Sequence, residues 1–337
     1  MSAPAIDAAQ LVQSAAATAA DIDAGTLTPR DHLAALGEAR LLDTDVPTSG
    51  ALIRDLAGEC MSTAFSLWAH RMTVEYFQRG ERSPLSDEVF ADLTAGRRAG
   101  STAMASGLKW LAGVGEVSAT ATPDGDGWRL NGFIPWASNL FDDAIVVLPA
   151  IHQEQAFVAW VFASELEIRP VSGLLALNGT ASGNIRVADV RIGPERVLSQ
   201  DLRSFARGFR PTFLLLQTAF CIGLTERSLA ESAAALDRPD NGVFAVELST
   251  LTDAAAVHRE RWRALLQDPA DDVATYLRLR LEAAQLAGDA TRLESTLAGG
   301  RGYQATSGSS RRFREAAFLP VQSPSEGQLR WELASLA

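Results

Sequence analysis

The stretch Gly125–Asn139, GDGWRLNGFIPWASN, decides how the chain is read. Asp124-Gly125-Asp126-Gly127 is a turn signal, and the residues after it are aromatic or alternate between apolar and polar, as strands do. Asn131-Gly132 reads as a second tight corner between two strands. Trp136 and Ser138 then fall at a strand end. Two readings of them stand: ordinary packing within a β domain, or the wall of a site shaped for a flat aromatic ring.

Working outward, residues 99–200 keep this texture. DAIVVLPAI, QAFVAWVFA, LEIRPV and ASGNIRVADVRI are short β-branched or alternating runs punctuated by Gly, Pro, Asn and Asp. No long helical pattern separates them, which predicts an antiparallel barrel or sandwich rather than a parallel βαβ sheet. Gly113 and Gly115 lack the third glycine and following helix of a dinucleotide fingerprint.

The flanks are helical. Residues 1–98 are rich in Ala, Leu and Glu. Thr28 is the expected N-cap and Pro29 the first helical residue of one helix, and the segment 49–77 reads as one long helix. Residues 201–337 suggest a four-helix bundle: a helix from Thr212 to about Leu236, one over 245–266, one over 270–297, and a last segment from AGGRGY. The predicted class is therefore α+β and multidomain: an N-terminal helical domain, a middle antiparallel β domain and a C-terminal bundle.

Composition narrows the function. The 337 residues carry 30 Lys+Arg against 41 Asp+Glu, a net charge of −11. That excess of acid disfavours nucleic acid and anionic membranes as partners. The longest charge-free apolar run, Pro211–Thr225, is too short for a membrane span and reads as a buried helix. The N-terminus has no basic region before its apolar residues, so no secretory signal is expected. Two cysteines, Cys60 and Cys221, without a CxxC fit a reducing cytoplasm. The four histidines never fall three or four apart, so no histidine metal site is expected.

The α–β–α order, with three of its strings, resembles the acyl-CoA dehydrogenase superfamily. WRLNGFIPWASN resembles that family's central hairpin. Gly179–Leu198, GTASGNIRVADVRIGPERVL, resembles its closing β segment. Ala298–Arg330, with GGRGY and RRFREA, resembles its last bundle helices. The resemblance implies FAD as cofactor, an acyl-CoA thioester as a candidate substrate, and a homo- or hetero-oligomer. It implies Trp136 against the flavin ring and the Ser138 hydroxyl on a ring atom. Gly299 and Gly300 would let backbone approach a phosphate or ribose, although a plain helix C-cap explains a glycine pair equally.

Departures from the family pattern matter as much. The Thr-Glu-Pro…Gly-Ser-Asp string before the hairpin is absent, leaving Ser101, Thr102 and Met104 as flavin neighbours. The Gln before the glycine pair is Thr296. In RPDNG, Arg238 and Gly242 match a motif that reaches a neighbouring subunit's cofactor, but Asn241 replaces its Phe. The Glu-Gly-Thr carrying the family's base falls on Ser323, Pro324 and Ser325, and Ser325 remains as a cofactor contact. A serine cannot remove an α proton unaided. Glu231 lies near where some members keep the base, yet a Glu on an amphipathic helix is usually solvated. No catalytic residue is therefore assigned. Three functions follow: a dehydrogenase-like flavoprotein, including the base-lacking subunit of a paired complex; a flavin monooxygenase on the same fold; or a flavin-free structural or regulatory subunit.

Overall fold

The computed structural model describes residues 7–336. Residues 1–6, part of the stretch read for a secretory signal, lie outside them. Five helices come first: α1 (Ala8–Asp23), α2 (Arg30–Glu38), α3 (Val46–Glu59), α4 (Met61–Arg79) and α5 (Pro84–Thr94). Caps set their starts. Asp7 and Gln10 form a reciprocal capping box at α1, and Ser83 and Ser86 form one at α5, followed by Pro84.

Two expectations are corrected here. Pro29 is the cap residue of α2, which starts at Arg30; Thr28 still accepts from the Arg30 N–H at 3.4 Å. The segment 49–77 is two helices, not one, because Cys60 is extended (φ −150°, ψ 101°). The break redirects the chain so that α4 runs through the middle of the molecule, with every residue from Met61 to Phe77 buried. Its charges are paired internally: Glu75 takes Arg71 at 3.0 Å and Arg79 at 2.6 Å. His70 is a buried structural histidine. Its Nδ1 accepts from the Gly100 N–H at 3.0 Å and its Nε2 donates to the Leu93 carbonyl at 3.1 Å. Burial pushes its pKa down to about 4, which keeps the ring neutral.

The sheet follows: β1 (Gly100–Thr102), then the short α6 (Ala105–Leu111), β2 (Ala119–Asp124), β3 (Gly127–Ala137), β4 (Ile145–His152), β5 (Gln155–Phe162), β6 (Glu167–Pro170), β7 (Gly183–Ile192) and β8 (Val197–Ser199). The strand order is β6-β7-β3-β2-β4-β5-β8, with β1 on β4. Most pairs are antiparallel, but β4 takes β1 and the start of β2 in parallel. The turn at Gly125 joins β2 to β3 as read. Asn131-Gly132 is not a corner. It is a bulge within one continuous β3, where the pairing to β7 slips between Leu130 and Gly132. Glycine is required there, since a Cβ would lie 2.1 Å from the Ser118 carbonyl.

The C-terminal bundle is α7 (Leu202–Ala235), α8 (Ala245–Gln267), α9 (Val273–Ala298), α10 (Gly308–Ala316) and α11 (Glu326–Ser335). Its fourth position is thus shared by two short helices. α7 begins ten residues before the expected Thr212, capped by Asp201, and carries Pro211 in its interior. The carbonyl that Pro211 leaves unbonded belongs to Arg207, an exposed residue, where water can serve it. The apolar run 211–225 is buried on nearly all sides, against α3, α4, α8 and α9. No helix among the described residues is long and apolar enough to cross a membrane.

One hydrophobic core links the three regions. Trp68 of α4 meets Phe213 of α7 at 5.0 Å, Phe65 meets Phe318 at 5.1 Å, and Phe77 meets Trp160 of β5 at 5.6 Å. α3 and α7 touch backbone to backbone at Gly223, where a Cβ would sit 1.9 Å from the Arg54 carbonyl. Gly223→Ala should therefore destabilise the fold by about 2–3 kcal/mol through forced separation of the two helices, read as a lower urea midpoint.

Glu315 of α10 gives a pH-dependent prediction. Its carboxyl is buried, with Arg311 at 3.5 Å, and burial pushes its pKa up to about 7. The folded state then holds a proton that the unfolded chain releases near its ordinary pKa. The stability this provides is present at low pH and lost as pH rises through about 7. Glu315→Gln should flatten the stability profile between pH 4.5 and about 7, measured by urea melts across that window.

Candidate functional site

The end of β3 forms one wall of a cavity of about 810 Å³. A second wall is Phe65 and Trp68 of α4 with Phe213 of α7. The third is the segment after α10, with Phe318, Val321, Gln322 and Ser323. The loop Leu174–Ser182 covers it, and Lys109 and Glu116 stand at the exposed mouth.

Trp136 does not belong to the core. The pairing of β3 with β7 slips between Ile134 and Ala137, and the indole emerges 56% exposed on the cavity wall. Trp68, Trp128 and Trp160, by contrast, each pack against other rings. Ser138 lines the same wall, with Thr102 beside it.

Asn139 explains the end of WASN. It is fully buried in the left-handed region (φ 59°), and its amide donates to the Ser66 carbonyl of α4 at 2.8 Å and the Gly100 carbonyl of β1 at 3.0 Å. Its backbone N–H donates to the Thr180 carbonyl at 2.8 Å. The residue ties sheet, central helix and covering loop together one position after Ser138.

Ser138 is set into a chain of hydroxyls. Its Oγ lies 2.7 Å from Ser182 Oγ, which lies 2.8 Å from Thr180 Oγ1, which donates to the Leu177 carbonyl at 2.8 Å. The Ser101 hydroxyl donates to the Ser138 carbonyl at 2.6 Å.

The opposite wall is organised by Arg280. This guanidinium is fully buried and has no carboxylate partner among the described residues. It donates to Gln217 Oε1 at 3.2 Å, Gln322 Oε1 at 2.9 Å and the Leu319 carbonyl at 3.2 Å. Arginine only donates, so both glutamines must turn their oxygens toward it. The Gln217 amide then donates to the Ser323 carbonyl at 2.9 Å. The Gln322 amide N–H groups are left for the cavity. Ser323 also lines this wall, with its Oγ buried and unpartnered.

Of the residues lining the cavity only Glu116 is a carboxylic acid, and it is exposed at the mouth. Arg314 is held by Asp23 at 2.6 and 2.9 Å. Lys109, the only lysine in the chain, makes no ion pair among the described residues. The cavity therefore offers a free indole, hydroxyls and amide donors between apolar walls, a set that suits a flat, partly polar ring.

The other residues read from sequence lie elsewhere. Arg238 donates to the Leu297 and Ala298 carbonyls at 3.0 and 3.3 Å, closing the end of α9 together with Asn241. Gly299 is the C-cap of α9 with φ 61°, and Gly300 follows it facing open space. Ser325 caps α11, accepting from the Gln328 N–H at 3.3 Å. Glu231 pairs with Arg227 at 2.9 Å on α7. None of these lines the cavity, whereas Trp136, Ser138 and Ser323 do. Asn139, Gln322, Thr180 and Ser182 lie inside the quoted strings but were not singled out as site residues. Lys109 alone had a signal available, its uniqueness in the composition.

No family model matches the sequence, and no curated protein matches it. Solved structures do match, over nearly the whole chain. Butyryl-CoA dehydrogenase from Megasphaera elsdenii is 13% identical with a TM-score of 0.84, covering 100% of this chain and 99% of its own. The chain has the acyl-CoA dehydrogenase fold. Glutaryl-CoA dehydrogenase from Mycobacterium smegmatis matches at 14% identity and TM-score 0.82, over 100% and 95% of the two chains. The prolyl acyl carrier protein oxidase AnaB matches at 14% and 0.82, over 98% of each.

Asn139→Ala removes both amide bonds and leaves an alanine in left-handed backbone. It should cost about 2–4 kcal/mol, seen as a lowered denaturation midpoint.

Proposed function

We propose that the chain is a flavin-dependent oxidoreductase that holds the ring of FAD against Trp136 and Ser138 and handles its substrate without a carboxylate base. The observation that carries this reading is the free indole of Trp136 beside Ser138, in a cavity that Gln322 also lines, with the Gln322 oxygen held by Arg280. Bound flavin supplies hydride or oxygen chemistry. The residues of the chain position, exclude water and donate hydrogen bonds. Gln322 can bind a carbonyl or anionic oxygen of a substrate, an acyl-CoA thioester among the candidates, but an amide cannot take an α proton. Flavin-dependent oxygenation needs no such base, so the donor wall favours a monooxygenase over a desaturase working alone. The paired-subunit reading stays open to the same test, because a partner would bring its own carboxylate.

The adenine end of FAD is assigned to Arg238, Gly299, Gly300 and Ser325. Since these stand outside the cavity, the reading calls for an oligomer in which a neighbouring copy or subunit supplies part of the site.

Purified chain mixed with FAD should acquire bound flavin absorption, and Trp136→Ala should weaken FAD binding about tenfold. With an artificial electron acceptor and a panel of acyl-CoA thioesters, the chain alone should show no desaturation. With reduced FAD it should consume oxygen in a substrate-dependent way. Robust desaturation by the isolated chain would count against the base-free reading. Turnover only upon co-expression with a Glu-bearing partner would favour the paired complex.

A further inference from the structure

We infer that Thr180 and Ser182 fix the direction of the Ser138 hydroxyl, so that this site favours reduced over oxidised flavin; the inference rests on the flavin reading above. Thr180 has one hydroxyl proton and spends it on the Leu177 carbonyl at 2.8 Å. The 2.8 Å contact between Thr180 and Ser182 must then use the Ser182 proton. The 2.7 Å contact between Ser182 and Ser138 must in turn use the Ser138 proton. In this direction all three hydroxyls donate internally. In the reverse direction one internal bond is lost and the Leu177 carbonyl gives up a donor. Ser138 is therefore left with only lone pairs for the cavity.

The backbone supports a fixed relay. Leu177 and Ala181 are both left-handed (φ 62° and 46°), a conformation L-residues adopt at a cost, and they bracket Thr180. Thr180 is fully buried, its N–H also donates to Leu177, and its carbonyl is held by Asn139. The relay is thus anchored at the Leu177 carbonyl, within the loop that covers the cavity.

A lone pair at this place suits an N–H on the ligand. The central ring of reduced flavin carries one at a nitrogen that in the oxidised ring is a bare acceptor. Ser182 and Thr180 are positioning residues in this scheme; both also line the cavity, and the Ser138→Ala background separates their action through Ser138 from any direct contact with the ligand.

The test measures binding of oxidised FAD and of dithionite-reduced FAD to the whole chain without oxygen. The wild type should bind the reduced form more tightly. Ser182→Ala frees the Ser138 proton, and Thr180→Val removes the anchor while keeping shape. Each should lower the preference for reduced FAD about tenfold, the worth of about one net hydrogen bond. For a two-electron couple this is a shift of about 30 mV in the bound potential. Both effects should vanish when Ser138 is Ala, because a merely structural role for Ser182 would persist there. An unchanged ratio in both single variants, or a shift that survives Ser138→Ala, overturns the inference. If neither form of FAD binds the wild type, the flavin reading fails instead. Neutron diffraction on the deuterium-exchanged chain then decides the relay alone. A deuteron on Ser138 directed at Ser182 supports it, and one on Ser182 directed at Ser138 refutes it.

Discussion

The two amide hydrogen bonds of Asn139 fix where everything else can be. They join the end of β3 to the carbonyl of Ser66 in the central helix and to β1, in a backbone conformation that brings the Asn139 N–H onto Thr180. A strand end would ordinarily fray, because its last residues have few partners. Here it is pinned from three sides. Trp136 and Ser138 can therefore face open space without losing position, which is the condition for preorganised binding.

The other side of the cavity depends on a different constraint. A buried guanidinium without a carboxylate is expensive unless its protons are used. Arg280 spends its Nε and Nη2 protons on amide and carbonyl oxygens, keeps Nη1 buried without a partner, and stands over the Phe220 ring at 5.7 Å. Satisfying it dictates how Gln217 and Gln322 face. The identity of a cavity wall is thus set by a residue that does not line the cavity. A carboxylate at 322 would bind Arg280 and be neutralised by it, so a single change there would not supply a free base.

Much of the fold was legible because it rests on local signals. The texture change near residue 99 and the uniformly apolar stretch of α7 are both short-range patterns. What could not be read depends on distant partners. The break at Cys60 has no proline or glycine at that position, and the helix that follows it is buried along its length. Asn131-Gly132 has the composition of a hairpin corner, and only the neighbouring backbone of Ser118 makes it a bulge. For the candidate site, Trp136, Ser138 and Ser323 were accessible through their strings. The orientation of Gln322 was not, because it is decided by Arg280, 42 residues away in sequence. The relay from Ser138 spans residues 44 apart for the same reason.

Lys109 has a practical consequence. Of the 30 basic residues, 29 are arginines, and the one amine-bearing side chain stands at the cavity mouth. Reagents that acylate or reductively alkylate amines have, apart from the chain's own N-terminus, a single address. A fluorophore or a tether attached through that chemistry reports on the opening of this cavity without a cysteine being engineered, since Cys60 and Cys221 are both buried. Arginine, by remaining charged and planar throughout the rest of the molecule, leaves that one ammonium chemically alone.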